Sequence, residues 1–343
     1  MVEFLVCMLG ACLVLYSVFG GADFGAGILE LFKGNSRKDD QVKLITQAMG
    51  PVWEANHMWL IIAVVVMFNG FPRAYADFSI LFHVPLTAML VGIILRGCAF
   101  TFRHYDAYQD QWQNIYSLLF AVSSAITPLM MGMMAGACLL GKFQAPGTAS
   151  YWMTYIAPWL NVFCVSVGVF VCCLFTFLAA VYLNAEAGDE ELQEIFKNRA
   201  KAANIACILS GALVFFSAEW EGIALLQDFI SHPLSFLSIV LATILLIPLW
   251  FGVWEHDRSL IRFLAAGQVT LVLLGYFRLM YPNLIRVRSN TEMIDIDFYR
   301  TAAGPETLVY LVWALVLGLF LILPALAYLF YVFKSETFFD SKK

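Results

Sequence analysis

Read as alternating apolar and polar stretches, the chain resolves into nine long hydrophobic runs separated by short polar connections. They lie near residues 4–26, 52–71, 78–100, 115–140, 156–183, 203–225, 233–254, 261–281 and 307–332. A run of about 20 apolar residues matches the thickness of a bilayer core. Backbone groups in lipid need internal partners, so such runs are helices or closed-barrel strands. A barrel strand shows about ten residues of in–out alternation, and these runs are unbroken. The pattern therefore predicts an all-α integral membrane protein of about nine transmembrane helices. The chain, 1–343, reads as a single polytopic membrane domain, with helices 1–4 over about 4–140, helices 5–8 over about 156–281 and helix 9 over about 307–332.

Composition strengthens this reading. Of 343 residues, 61% are hydrophobic and 13% charged, against about 25% charged in a typical soluble domain. Soluble enzyme folds are excluded on that ground. No Lys/Arg block is long enough for a nucleic-acid patch. The eight cysteines lie in or beside apolar runs with no CxxC or CxxCH, so neither zinc nor covalent haem is suggested. The first run follows Glu3 and has no basic leader, which reads as a retained helix and not a cleaved signal.

Loop charge sets an expected orientation. Taking the loops near 31–46, 96–112, 184–202 and 255–262 with the C-terminus as one side collects fourteen Lys/Arg, against six on the other. The basic side is expected to be cytoplasmic, leaving the N-terminus outside. The segment 184–202 is expected to extend a helix on that side. The outer loop 282–306 is polar but too small for a catalytic domain. Trp and Tyr residues such as Trp152, Trp159, Trp220 and Tyr281 suit interfacial belts.

Ionisable groups within the spans are the candidates for function, since exposing them to lipid is costly. Asp23 sits in Gly20-Gly-Ala-Asp-Phe-Gly-Ala-Gly27, where Gly21 and Gly25 form a small-xxx-small pair suited to close helix contact. It reads either as a proton-handling carboxylate or as a structural anchor. The second cluster is Gly50-Pro-Val-Trp-Glu-Ala-Asn-His-Met-Trp59. Pro51 can open a helix there; Glu54 follows in the first turn, and His57 at i+3 can meet it on one face. Asn56 and Trp59 are supporting polar and packing positions. Arg96, at the inner end of the third span, reads either as a snorkelling side chain or as a partner of Glu54 or Asp23 that holds a carboxylate ionised. By the topology all three charges share one side, at comparable depth.

Other groups carry plainer expectations. His83 is alone in an apolar run and reads as a satisfied structural histidine. Met130, Met131, Met133 and Met134 read as a packing surface. Glu219, Glu221, Glu255 and His256 fall near membrane boundaries. There is no Walker A, GxGxxG or GxSxG motif, and no His/Cys/carboxylate set with metal spacing.

The stretches Gly21-Ala-Asp-Phe-Gly-Ala-Gly-Ile-Leu29, Gly50-Pro-Val-Trp-Glu-Ala-Asn-His-Met-Trp-Leu-Ile61, Phe71-Pro-Arg-Ala-Tyr-Ala76 and Gly92-Ile-Ile-Leu-Arg-Gly-Cys-Ala-Phe-Thr-Phe-Arg103 resemble, in order and spacing, the second subunit of cytochrome bd-type quinol oxidases. The resemblance implies a subunit of a quinol:oxygen oxidoreductase in a bacterial or archaeal cytoplasmic (inner) membrane. It implies two four-helix bundles plus one peripheral helix. A haem-bearing subunit I would be the partner, holding haem b and haem d, with no catalytic centre in this chain. Small accessory single-helix subunits, the quinol pool and lipids are further implied partners, with a structural quinone in some members. Asp23 matches the second aspartate of the family's Asp-Gly-Phe-Asp motif, and Gly20 stands where the first acid is often found. Glu54 matches the aspartate of Trp-Asp-Gly-Asn, with Ala55 for the glycine; Asn56, Trp59 and Arg96 match in kind. The implied role is to stabilise the partner and line an inward-facing proton path through Asp23, Glu54 and Arg96. A secondary transporter and a purely structural partner are the competing readings.

Overall fold

The computed structural model describes residues 1–32, 37–50, 53–105, 112–144, 147–251, 258–287 and 295–340. The described residues form fourteen helices: α1 (Val2–Leu31), α2 (Lys38–Met49), α3 (Trp53–Gly70), α4 (Pro72–Leu81), α5 (His83–Tyr105), α6 (Trp112–Leu140), α7 (Tyr151–Tyr155), α8 (Val162–Glu186), α9 (Glu190–Trp220), α10 (Leu225–Ser231), α11 (Pro233–Ile244), α12 (Leu246–Phe251), α13 (Arg258–Met280) and α14 (Pro305–Asp340). Among the described residues eight helices are long and apolar enough to cross a membrane. The bent pair α2–α3 is the further candidate, giving up to nine.

Local chemistry explains where the helices start. Pro72 and Pro233 occupy first-turn positions, where the missing N–H costs nothing. Asn161 caps α8 by accepting from the Cys164 amide at 2.9 Å, and Asp189 caps α9 by accepting from the Leu192 amide at 3.0 Å. These caps correct two expectations. The fifth span begins at Val162 and not near 156, with the separate turn α7 before it. Glu190–Trp220 is one continuous helix, so the charged segment 190–202 is indeed a helical extension, and the span stops at Trp220 short of the expected 225. Residues 38–46, within the stretch expected as loop, belong to α2, which buries Gln41, Ile45 and Met49. The all-α expectation holds, with one small addition. A two-stranded antiparallel ribbon, β1 (Asn283–Ile285) with β2 (Ile296–Asp297), lies in the connection between α13 and α14. Pro51, Glu255 and His256 lie outside the described residues.

α8 is the central helix, packed against α1, α6 and α9. The approach is close because glycines leave room for it. A Cβ on Gly25 would run into the Phe175 carbonyl, and one on Gly132 would meet the Gly168 Cα at 2.7 Å. At the periphery, α14 packs mainly on α3 and buries only 11% of its apolar window.

The two ends of the molecule are tied separately. At one end Arg37 donates to Asp189 at 2.6 Å and Asp40 at 2.8 Å, joining the segment after α1 to the α8–α9 turn. The guanidinium holds the Asp189 carboxyl below its ordinary value. At the other end Lys142 pairs with Glu221 at 2.7 Å, and the Tyr299 hydroxyl donates to Glu3 at 3.2 Å.

Candidate functional site

α1 is not a uniform α-helix. Tyr16–Gly20 makes a π turn between two α-helical stretches, a distortion that often marks functional positions. Asn56 of α3, 4% exposed, donates to the Phe19 carbonyl of this turn at 3.4 Å. α3 reaches α1 with the stripe Asn56, Trp59, Ala63, Val66 and Gly70, all buried, at the spacing of one helix face. Trp59 thus serves packing, as its type suggests. Gly21 lies under the Phe175 ring, where a Cβ would meet ring carbons at 2.7 Å.

Immediately after the π turn comes Asp23, 0% exposed, and opposite it Arg96 of α5, 2% exposed. Arg96 Nη2 sits 2.5 Å from Asp23 Oδ1 and donates to the Asp23 carbonyl at 3.2 Å, while Nε donates to Ser124 Oγ at 3.0 Å. The guanidinium also stands over the rings of Phe24 and Phe120, at 4.9 and 5.0 Å. Of the two partners open to Arg96 in the sequence, the structure selects Asp23. Snorkelling is overturned, since the charge is buried inside the bundle. A pair this dry does not by itself add stability, but removing one member costs about 3–5 kcal/mol.

A second buried pair, not singled out in the sequence, repeats the first. Arg103 donates to both carboxylate oxygens of Glu30, at 2.8 and 3.0 Å, and to Thr46 Oγ1 of α2 at 3.1 Å. Each member lies seven residues beyond its counterpart, about two helical turns or 10 Å along parallel faces. Phe120 of α6 lies between them, with Arg103 4.8 Å from its centroid. The repeat Asp23/Glu30 with Arg96/Arg103 is the signal in the sequence, and Glu30 lies beyond the expected end of the first span.

Glu54 is placed differently. It is exposed, on the same side of α3 as exposed Ile61, Val65 and Phe68. Among the described residues no ion pair joins it to Arg96 and no hydrogen bond joins it to His57. The three charges are therefore not one contact: two are buried together, and the third faces outward one helix away. His57 turns toward α1, with its ring 5.9 Å from Tyr16, 6.1 Å from Phe24 and 6.4 Å from Trp53. Tyr16 covers Gly20, where a Cβ would lie 3.1 Å from its ring.

His83 behaves as a structural histidine. Its Nδ1 bonds the Ile80 carbonyl at 2.9 Å and its Nε2 the Tyr151 hydroxyl at 2.8 Å. His232 Nδ1 is likewise engaged by the Asp228 carbonyl at 2.8 Å. Met133 and Met134 are buried in the core, and Met130 and Met131 pack against it. Among the described residues no three His, Cys, Asp or Glu side chains group as a metal site.

Comparison with known proteins agrees with this layout. The family model described as cytochrome bd terminal oxidase subunit II matches residues 1–333. Cytochrome bd-I ubiquinol oxidase subunit 2 of Escherichia coli K12 is 28% identical over 134 residues, covering 39% of this chain and 35% of the relative. Cytochrome bd ubiquinol oxidase subunit 2 of Bacillus subtilis is 30% identical over 114 residues, 33% of each. These alignments span about a third of the curated relatives' length. A chain in the structure of bd oxidase from Geobacillus thermodenitrificans superposes with a TM-score of 0.71 at 19% identity, covering 97% of this chain and 98% of that one, which shows the shared fold. By the match along nearly its whole length, this chain belongs to the family of cytochrome bd terminal oxidase subunit II.

Proposed function

We propose that this chain is the haem-free second subunit of a membrane oxidase that oxidises quinol and reduces dioxygen to water. It holds a haem-bearing subunit I in place and lines a proton path from the cytoplasm toward that partner's oxygen-reducing centre. The observation that carries the reading is the buried Asp23–Arg96 pair beside the helix that exposes Glu54. An acid on a lipid-facing helix surface costs several kcal/mol. The face bearing Glu54, Ile61, Val65 and Phe68 is accordingly the one covered by the partner. The end tied by Arg37 and Asp189 is the cytoplasmic one, in line with the excess of basic residues there.

In this reading the two ion pairs have a fixed electrostatic task. Glu30–Arg103 and Asp23–Arg96 carry matched charge into the bundle without a net field that would trap a proton. Glu54 is free of a buried cation and exchanges protons at the subunit boundary. Haem chemistry is supplied by the partner. A groove of about 420 Å³ between α8 and α9, lined by Leu160, Val162, Val165, Val169 and Leu213, suits a lipid chain. Asn161 and Ser166 at this groove are engaged by the Cys164 amide and the Ser217 hydroxyl. Exposed α14 would meet lipid or a small single-helix accessory subunit.

The test is co-expression of the tagged chain with its haem-bearing partner. The purified pair is expected to show b- and d-type haem spectra and quinol-driven oxygen consumption, and the chain purified alone to carry no haem. Stoichiometric haem on the isolated chain, or a pair inactive toward quinol, would contradict the proposal.

A further inference from the structure

The π turn of α1 and the first turns of α3 enclose polar atoms that the ion pairs leave unused. Tyr16 is 1% exposed and its hydroxyl has no hydrogen-bond partner among the described residues. The same holds for His57 Nδ1, and Asp23 Oδ2 has no donor. The three side chains converge: the Tyr16 and His57 rings are 5.9 Å apart, and both lie within electrostatic reach of Asp23 and Arg96. An unmet buried polar atom costs about 1–3 kcal/mol. Three at one spot, on helices otherwise closely packed, point to a purpose beyond packing.

Asp23 is poorly suited to carry the proton itself. Its carboxylate is fixed on Arg96, and protonating it would strand a buried guanidinium. His57 has no such partner. It stands one helical turn from Glu54 on α3 and turns toward α1, its ring 6.1 Å from that of Phe24, the residue after Asp23. The charges that face it are Asp23 from α1, Arg96 from α5 and Glu54 on its own helix; Glu30 and Arg103 are engaged with each other.

We infer that His57 is the proton-holding residue of the path, with the Tyr16 hydroxyl close enough to be joined to it through a bridging water. The inference rests on the proton-path reading above and names the group that acts within it. The imidazole lone pair accepts a proton delivered by the Glu54 carboxyl, through water, leaving the Glu54 carboxylate. The Asp23 carboxylate favours the imidazolium and the Arg96 guanidinium opposes it, and a water between the Tyr16 hydroxyl and the imidazole would complete its hydrogen bonding. Release of the same proton toward the partner restores neutral His57, so the step balances without a further reactant.

The experiment uses the assembled oxidase in liposomes, with electrometric proton uptake and the pH profile of oxygen consumption as readouts. His57→Gln keeps size and hydrogen bonding but holds no proton at neutral pH. It is expected to slow proton uptake about tenfold or more, the scale of a lost acid–base group, and to erase a histidine-like step in the pH profile. Tyr16→Phe preserves ring packing and is expected to shift that step and slow uptake about threefold, the scale of a weakened hydrogen bond. Wild-type uptake and pH profile in both variants, at wild-type haem content, would overturn the inference. If Glu54→Gln still slows uptake in that case, the path stands without His57; if it does not, the path falls as well. Should His57→Gln fail to assemble, the Tyr16→Phe profile decides alone.

Discussion

Replacing Arg96 with methionine is expected to abolish accumulation of the assembled complex. Methionine fills much of the arginine's volume and is apolar, so the rings of Phe24 and Phe120 keep a packing partner. Asp23, however, keeps its place with no cation beside it, 0% exposed and between helices too closely packed to open. Stranding a buried carboxylate in this way costs about 3–5 kcal/mol, a large share of a domain's net stability of about 5–15 kcal/mol. The measurement is the amount of haem-bearing oxidase in membranes and its thermal inactivation midpoint. The double variant Asp23→Leu with Arg96→Met removes both charges and is expected to recover much of the lost complex, since an apolar pair can replace a buried ion pair. Normal accumulation of the single variant would mean the pair is not a closed, desolvated contact.

Gly25→Val is expected to be comparably damaging, for a steric reason. A Cβ at Gly25 would collide with the Phe175 carbonyl and lie 2.9 Å from the Ala179 Cβ. Backbone cannot rotate away as a flexible side chain can, so α1 and α8 must separate. Overpacking a core costs about 1–3 kcal/mol where side chains yield, and here the expected loss lies at or above the top of that range. Gly318→Ala is the control. Nothing lies within 4 Å of that Cβ on α14, and alanine in a helix interior favours it by about 0.5–1 kcal/mol over glycine. A lowered inactivation temperature for Gly25→Val with none for Gly318→Ala is the expected pair of results.

The sequence carries more of the fold than of the site. Hydrophobic runs locate the spans because lipid demands length and apolarity together, and those signals are local. Helix starts move where a cap decides them, as Asn161 does for α8. The segment 38–49 was hidden because its helix is amphipathic and polar on average. Asp23 and Arg96 could be placed at one side from charge bias, yet their 2.5 Å contact needed the relative rotation of α1 and α5. Glu54 shows the same gap in reverse: its place in the first turn of α3 was legible, but which way α3 turned it was not, because that is set by the buried stripe from Asn56 to Gly70. The π turn left no pattern beyond the adjacent Gly20 and Gly21. Tyr16 went unnoticed because an aromatic residue in an apolar run reads as packing.

In the proposed function this subunit conducts protons as well as bracing its partner. The measurement that reaches it most directly is charge movement in liposome-reconstituted oxidase during a single turnover, comparing wild type with Glu54→Gln. The account predicts normal haem content and electron transfer into the haems, with the proton-uptake phase slowed about tenfold or more. Wild-type kinetics of that phase in the fully assembled variant would contradict it.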